Sequence, residues 1–305
     1  MITTNEGLHI IGVDMGYGNM KTANRYFPTG LTVYDSEPGF KGDVLLMEDT
    51  FYKVGEGRKP FIADKTVDND FYIMTLAAVA MECKANNVHD GDIYLAVGIP
   101  VSWIREQRDS LRDYIMKQKK LRFTFNGEKY KLNMKGCFIF PQGFPALMDR
   151  LGDLKGLNML ADIGNGTMNI LLMSNLKVDE RKCFTEPLGV VKFKIAARNA
   201  IMDKLGKQID DSVIEDFIRS GKAYAPESYN EIFTKEAVKY TRTLMDTLYQ
   251  YNYDPDIMTL YVVGGGHCLL QRYGTYDPDK VIFIPDICAA AKGFEQAAEM
   301  KLQGE

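Results

Sequence analysis

The sequence predicts an α/β protein made of two related halves, and three observations carry that expectation. Short β-rich apolar runs alternate with longer helical patterns along the chain. The same unit of strand, Asp-x-Gly turn and strand occurs twice: Ile11-Gly12-Val13-Asp14-Met15-Gly16-Tyr17-Gly18-Asn19, and Leu160-Ala161-Asp162-Ile163-Gly164-Asn165-Gly166-Thr167-Met168-Asn169. Between the copies, Gly152 to Asn158 is glycine-rich and polar, which suits a domain joint.

In chain order, Leu8 to Val13 reads as a strand entering the first glycine turn. Residues 22–34 read as a hairpin-like pair of strands around Pro28-Thr29-Gly30. Residues 70–87 read as a helix with Phe71, Met74, Ala78 and Met81 on one face. The run Ile93-Tyr94-Leu95-Ala96-Val97 is apolar on both faces, the pattern of a buried strand. A helix from about Trp103 to Lys119, capped by Ser102, turns Ile104, Leu111 and Ile115 inward. Residues 121–140 read as two strands around Asn126-Gly127, a hairpin turn, followed by Cys137-Phe138-Ile139-Phe140. Pro141-Gln142-Gly143-Phe144-Pro145 opens a short helix through Arg150.

In the second half, Met159 to Ile163 is a strand, followed by the second glycine turn and a strand through Met173. Helices are expected around 190–205, 210–220 and 234–250, the last with Ala237, Leu244 and Leu248 along one stripe. A strand at Thr259 to Val263 ends in three glycines, and a helix from about Ile287 to Leu302 closes the pattern.

The 305 residues suffice for two domains, and 46% hydrophobic with 26% charged residues is ordinary for a globular protein. A net charge of −4 gives no general attraction to DNA or anionic membranes. The basic cluster Lys117, Lys119, Lys120 and Arg122 reads as a solvated helix end. Five scattered cysteines with no C-x-x-C pair, and three histidines without zinc spacing, point to reduced thiols and not to a disulfide framework. No charged-then-apolar leader and no apolar run near the roughly 20 residues of a membrane span is found, so a cytoplasmic location is expected.

Binding a nucleoside triphosphate requires backbone N–H donors close to phosphate oxygens, which glycine permits. It also requires hard oxygen ligands for a metal, which aspartate supplies. Two Asp-x-Gly hairpins facing each other would meet both needs. The simpler reading, aspartate before glycine as turn chemistry, stands for each hairpin alone. A dinucleotide fingerprint fails because Lys21 stands where the third glycine is needed, and no P-loop is present.

Five segments in order are more specific. They are Asp14-Met15-Gly16-Tyr17-Gly18-Asn19-Met20-Lys21, Pro141-Gln142-Gly143-Phe144-Pro145-Ala146-Leu147, Asp162-Ile163-Gly164-Asn165-Gly166-Thr167, Leu260-Tyr261-Val262-Val263-Gly264-Gly265-Gly266, and Pro285-Asp286-Ile287-Cys288-Ala289-Ala290-Ala291-Lys292-Gly293. This set resembles the phosphate 1, connect 1, phosphate 2, adenosine and connect 2 motifs of the actin, sugar-kinase and heat-shock-chaperone ATPases. The resemblance implies two actin-like (ribonuclease H-like) domains with a nucleotide cleft between them. Domain I would span 1–155 plus 288–305, with a small subdomain at about 30–70; domain II would span 156–287, with a helical subdomain at about 190–255.

The same resemblance implies roles for matching residues. Asp14 and Asp162 would hold Mg²⁺, mostly through water. Lys21 would reach the β- and γ-phosphates of ATP (or GTP). The turn residues Gly16, Tyr17, Gly18 and Asn19, with Gly164, Asn165, Gly166 and Thr167, would cradle phosphate oxygens. Gly264, Gly265 and Gly266 would admit adenine and ribose, and Gln142 would position the attacking water. Plain structural readings stand beside these: Lys21 as a strand lysine, Gln142 as a helix cap, Gly265 and Gly266 as a tight turn, and Asp286 as the cap of the final helix.

Within the superfamily, Ala96-Val97-Gly98-Ile99-Pro100-Val101-Ser102, Phe51-Tyr52-Lys53-Val54-Gly55-Glu56-Gly57 and the second hairpin are similar to segments of bacterial ParM/StbA plasmid-segregation actins. The chain stops soon after connect 2, so no chaperone-type substrate domain is expected. Membership would imply an ATPase forming head-to-tail filaments of itself, with DNA reached through an adaptor of ParR type and no direct contact with nucleic acid or membrane. The alternative is a sugar-type small-molecule kinase of the same superfamily.

Overall fold

Described over residues 1–39, 42–57, 59 and 64–304, a computed structural model divides the chain into two units, Met1–Leu151 with Cys288–Glu305, and Gly152–Ile287. Of the small subdomain expected at about 30–70, residues 40, 41, 58 and 60–63 lie outside the described residues.

The first unit opens with β1 (Ile2–Thr3), β2 (His9–Met15), β3 (Asn19–Lys21), β4 (Tyr26–Pro28), β5 (Leu31–Tyr34), β6 (Asp43–Met47) and β7 (Thr50–Val54). It continues with α1 (Asp70–Ala85), β8 (Asp90–Ile99), α2 (Ile104–Ile115), β9 (Lys120–Phe125) and β10 (Glu128–Pro141). A 3-10 segment, Phe144–Asp153, leads to the second unit. That unit holds β11 (Leu157–Ile163), β12 (Met168–Ser174), β13 (Lys177–Glu186), α3 (Val190–Leu205), α4 (Asp211–Ser220), α5 (Glu227–Gln250), β14 (Met258–Val263), α6 (His267–Tyr273) and β15 (Val281–Phe283). Helix α7 (Ala289–Gly304) returns to the first unit.

The two sheets repeat one plan. In the first, strands run β4-β3-β2-β8-β10-β9-β6-β7-β5, with β1 on β2. In the second the order is β13-β12-β11-β14-β15. In β4-β3-β2-β8-β10, two antiparallel pairs are followed by two parallel ones. The second sheet has the same sequence of pairings. Each Asp-x-Gly turn therefore joins the third and second strands of an equivalent five-strand core, and each aspartate lies near the end of the strand entering its turn.

Strands β2 and β8 are apolar on both faces because both faces are covered. Ile11, Val13, Leu95 and Val97 pack in the core that contains α1, whereas Ile10 and Ala96 pack against Phe294 and Ala298 of α7. Gly12 permits this approach: a Cβ there would lie 2.0 Å from the Ala291 carbonyl oxygen. In the second unit, Met159, Ala161 and Ile163 of β11 share a core with Phe193, Phe217, Leu244 and Leu248.

Several local expectations are corrected. Residues 22–34 do not form a hairpin; β4 pairs with β3 and β5 pairs with β7. The Thr29 N–H donates to the Gly18 carbonyl at 3.0 Å, so the Pro28-Thr29-Gly30 turn is spent on joining different strand pairs. Ser102 is not the N-cap of α2: it lies inside the 3-10 turn Val101–Trp103, and Trp103 holds that position. Helix α2 stops at Ile115, since β9 begins at Lys120 and pairs with β10. Helix α1 is buried around its circumference, Tyr72, Ile73 and Ala80 as well as Phe71 and Met74. Strands β13 and β15 and helix α6 were not expected: β13 is mostly polar and the other two are short. Helix α5 starts at Glu227, seven residues before the expected 234. Among the described residues, no helix is long and apolar enough to cross a membrane.

Candidate functional site

In the first unit, Asp14 sits one residue before the end of β2, directly across the ladder from Lys21 of β3. The Lys21 ammonium lies 2.9 Å from Asp14 Oδ2, and the Gln142 Nε2 donates to Asp14 Oδ1 at 2.8 Å. Burial pushes the carboxyl's pKa up, but Lys21 foremost, with Lys65 and the Gln142 bond, holds it below the ordinary carboxylate range. The result is a buried, ionised carboxylate with both oxygens already oriented.

The turn itself is braced from one side. The Thr29 hydroxyl donates to the Gly16 carbonyl at 2.6 Å. In a trans peptide the N–H points opposite to the C=O, so the Tyr17 amide is directed away from Thr29. The Tyr17 ring meets Phe71 and Trp103 edge-on, at 6.4 and 6.5 Å between centroids. Burial raises its phenol pKa, with the Asp64 carboxylate adding to the shift. A Cβ on Gly16 would lie 2.6 Å from the Asn19 carbonyl oxygen, which is why the turn closes only on glycine.

Gln142 follows β10, and its own N–H donates to the Ile99 carbonyl at 2.8 Å. Helix α7 locks the next segment in place. Gly293 touches the chain at Pro145, where a Cβ would come within 1.6 Å of the carbonyl oxygen. Connect 1 and connect 2 thus bear on each other through a glycine contact.

The second turn is braced more fully. The carbonyls of Gly164, Asn165 and Gly166 accept from the N–H groups of Val190, Val191 and Gly189, at 3.0, 2.9 and 3.2 Å. Three consecutive carbonyls therefore satisfy the amides that begin α3, which have no partner inside their own helix. By peptide geometry, the amides of Asn165, Gly166 and Thr167 point to the opposite side. That side is a row of N–H donors, the arrangement that takes an anion. Gly189 is required for the approach, since a Cβ there would lie 2.3 Å from the Asn165 carbonyl oxygen.

Asp162 precedes this turn and pairs in register with Val263. Gly264, with φ +81°, closes over it: a Cβ there would come within 2.6 Å of Asp162 Oδ1. The Gly266 N–H donates to the Ile163 carbonyl at 2.9 Å, and the His267 ring donates through Nδ1 to the Gly264 carbonyl at 2.9 Å. Gly265 faces open space.

Of the residues singled out in the sequence, Asp14, Lys21 and Gln142 come into contact, with Gly16 to Asn19 forming the adjoining turn. Asp162, Gly164 to Thr167 and Gly264 to Gly266 gather in the other unit. Sequence reasoning missed Thr29, Lys65 and Gly189. Only Gly189, a glycine just ahead of a helical pattern, carried any signal; the other two act through contacts with no local pattern.

Two units with this shared strand order, each carrying an acidic glycine turn, make the actin-like fold. Residues 12–144 match the family model for the N-terminal domain of actin-like proteins. The chain is similar to Ta0583, an archaeal actin homolog, in its complex with ADP (TM-score 0.74, 20% identity, covering 96% of this chain and 99% of that one). It is similar to the apo pSK41 ParM protein (TM-score 0.74, 15% identity, 97% and 98% covered). It is also similar to Alp12 in its filament structure (TM-score 0.71, 18% identity, 98% and 100% covered). No curated protein sequence matches the chain. The likeness to ParM-type actins read from the motifs is borne out by these matches, which establish the fold.

Proposed function

We propose that this chain is a Mg²⁺-dependent ATPase that assembles head to tail into filaments and serves DNA segregation. The observation that carries the reading is the duplicated turn. Each unit ends a core strand in a buried or glycine-covered aspartate and turns its neighbouring amides away from a bracing carbonyl contact. The Tyr17 amide of the first turn and the row of three amides of the second would supply N–H groups to the phosphates of one nucleotide. That Ta0583 is known in complex with ADP and Alp12 as a filament supports the reading.

The donor set suits a hydrated divalent cation. Asp14 is anionic, and its two oxygens are fixed by Lys21 and Gln142, so water-mediated contact with Mg²⁺ is the better match than bare coordination. Asp14 and Asp162 would hold the ion, which when bound offsets phosphate charge. Lys21 adds a cation at the same turn. Gln142 spends its Nε2 on Asp14, which leaves Oε1 to accept from an attacking water. A neutral amide orients water but removes protons poorly, so hydrolysis is slow and acts as a timer on the filament.

Head-to-tail contacts are heterologous and do not close, so association continues into a polymer. Its net charge of −4 fits DNA contact through a ParR-type adaptor in the cytoplasm, not direct binding. Light scattering and electron microscopy test the proposal. Polymer is expected with ATP and Mg²⁺ above a critical concentration, reversing as ATP is consumed. A phosphorylated small molecule with no polymer at any concentration would instead identify a kinase.

A further inference from the structure

The basic residues Lys120 and Arg122, expected at a helix end, stand on strand β9 instead. In the β9–β10 ladder Arg122 is in register with Lys131, Lys120 with Asn133, and Thr124 with Lys129. Residues directly opposite, and alternate residues along a strand, share one face of a sheet. Lys120, Arg122, Lys129 and Lys131 therefore form one exposed row of cations. Like charges directly opposite destabilise a ladder, and Arg122 faces Lys131 in this way. Among the described residues none of the four makes an ion pair; Arg122 spends one amino group on the Leu121 carbonyl, at 2.8 Å. On the β8 side, Asp92 is taken by Asn133 and Lys135 at 2.9 Å each, and Asp90, in register with Lys131, borders the row.

The second unit carries the opposite charge in a repeated motif. Tyr253-Asp254-Pro255-Asp256 and Tyr276-Asp277-Pro278-Asp279 each end two residues before a strand, β14 and β15. Those strands are parallel neighbours, and the Leu260 N–H donates to the Lys280 carbonyl at 2.8 Å, so the two turns sit side by side at one end of the sheet. The first aspartate of each serves its own turn: Asp254 Oδ1 accepts from the Asp256 N–H and Asp277 Oδ1 from the Asp279 N–H, both at 3.0 Å. The Asp256 and Asp279 carboxylates bond no described residue. All four aspartates are exposed, and none is ion-paired among the described residues, with Lys280 or any other cation. The Tyr253 hydroxyl is buried without a hydrogen-bond partner, in a residue 5% exposed. Burial foremost, then Tyr249 and the Asp277 and Asp254 charges, raises its phenol pKa to about 12, so this unmet hydroxyl lies within the field of the same carboxylates.

We propose that these two surfaces bind each other between copies: the Tyr-Asp-Pro-Asp turns of one chain dock on the β9–β10 cation row of the next. This rests on the filament reading and names the surfaces of its head-to-tail contact. Four carboxylates and four cations, each without an ion-pair partner in its own chain, match in sign and number. The two surfaces differ, so the contact is heterologous and repeats without closing. Asp90 beside the row tells against a polyanion such as DNA or an anionic bilayer, and favours a partner with a bounded acidic patch. One exposed pair contributes little, but several together steer the encounter and penalise wrong registers.

Lys129→Glu/Lys131→Glu makes both surfaces acidic, and Asp256→Lys/Asp279→Lys makes both basic. These side chains bond nothing described in the chain, so the thermal midpoint of each variant should stay close to that of wild type. Sedimentation with ATP and Mg²⁺ tests the idea. Each variant alone is expected to raise the critical concentration by about tenfold or more, since like charges then meet. An equimolar mixture of the two should polymerise near the wild-type concentration, because acidic and basic surfaces alternate along the polymer. The proposal is overturned if either variant alone polymerises as wild type does, or if the mixture stays unassembled. Loss of binding to duplex DNA or to anionic vesicles in Lys129→Glu/Lys131→Glu, with assembly intact, overturns it by assigning the row to a polyanion. Failure of wild type to polymerise removes the filament reading and this inference with it; wild-type polymer with indifferent variants removes only the inference.

Discussion

Gln142 and Asp14 are joined by a 2.8 Å hydrogen bond across 128 residues of sequence, from the Nε2 of one to the Oδ1 of the other. The bond exists because β2 and β10 both flank β8, which brings their C-terminal ends to the same edge of the sheet. It fixes the orientation of the Gln142 amide, with Nε2 turned toward Asp14.

Replacing Gln142 by alanine is therefore expected to slow ATP hydrolysis by about 100-fold, the scale of a misplaced reacting group. ATP affinity should change little, and filaments should persist longer. Phosphate-release assays beside sedimentation check this. Unchanged turnover would assign Gln142 to structure alone.

Gly189 and Gly265 make a contrasting pair. A Cβ on Gly189 would meet the Asn165 carbonyl at 2.3 Å, whereas one on Gly265 meets nothing within 4 Å. Gly189→Ala is expected to lower both the thermal midpoint and MgATP affinity, the latter by about tenfold as amide donors shift out of line. Gly265→Ala should leave the midpoint within about 1 °C of wild type, in keeping with the small effect of changes that touch nothing. Calorimetry on both variants decides it.

Much of the fold was legible because its signals are local. Asn126 and Gly127 take positive φ at 50° and 80° and close the β9–β10 hairpin as an Asn-Gly pair should. The all-apolar run at 93–97 became the interior strand β8, between β2 and β10. Asp14, Lys21 and Gln142 stood out because motif and spacing mark them. What stayed hidden depends on distant partners. Thr29 braces Gly16 from outside its strand, and Lys65 reaches Met15 across 50 residues. The turn at 28–30 misled because Pro and Gly announce a change of direction without saying which strands will pair.

Gly293→Ala places a Cβ 1.6 Å from the Pro145 carbonyl oxygen, a backbone atom that cannot swing aside. The variant is expected to lose about 3 kcal/mol of stability, at the upper end for an overpacked contact. Chemical denaturation followed by circular dichroism measures the loss. A midpoint unchanged from wild type would mean that α7 is not seated at this contact.

The Lys65 pKa of about 8 gives a pH signature. The folded value lies below that of an unfolded lysine, near 10.4, so between these pH values the unfolded chain binds more protons. Stability of the nucleotide-free protein attributable to Lys65 should rise as pH increases from about 8 toward 10. Urea titrations of wild type and Lys65→Gln across that window should differ in slope, with wild type the steeper. Parallel curves would contradict the shift.

The central claim is that Asp14 and Asp162, in separate units, act on a single nucleotide. The most direct measurement is ATP turnover in Asp14→Ala, Asp162→Ala and the double variant, by phosphate release with Mg²⁺ present. The account predicts that either single change essentially abolishes turnover and that the second adds almost nothing, since residues that act as a unit are not additive. Wild-type turnover in either single variant, or independent and multiplying losses in the double, would contradict it.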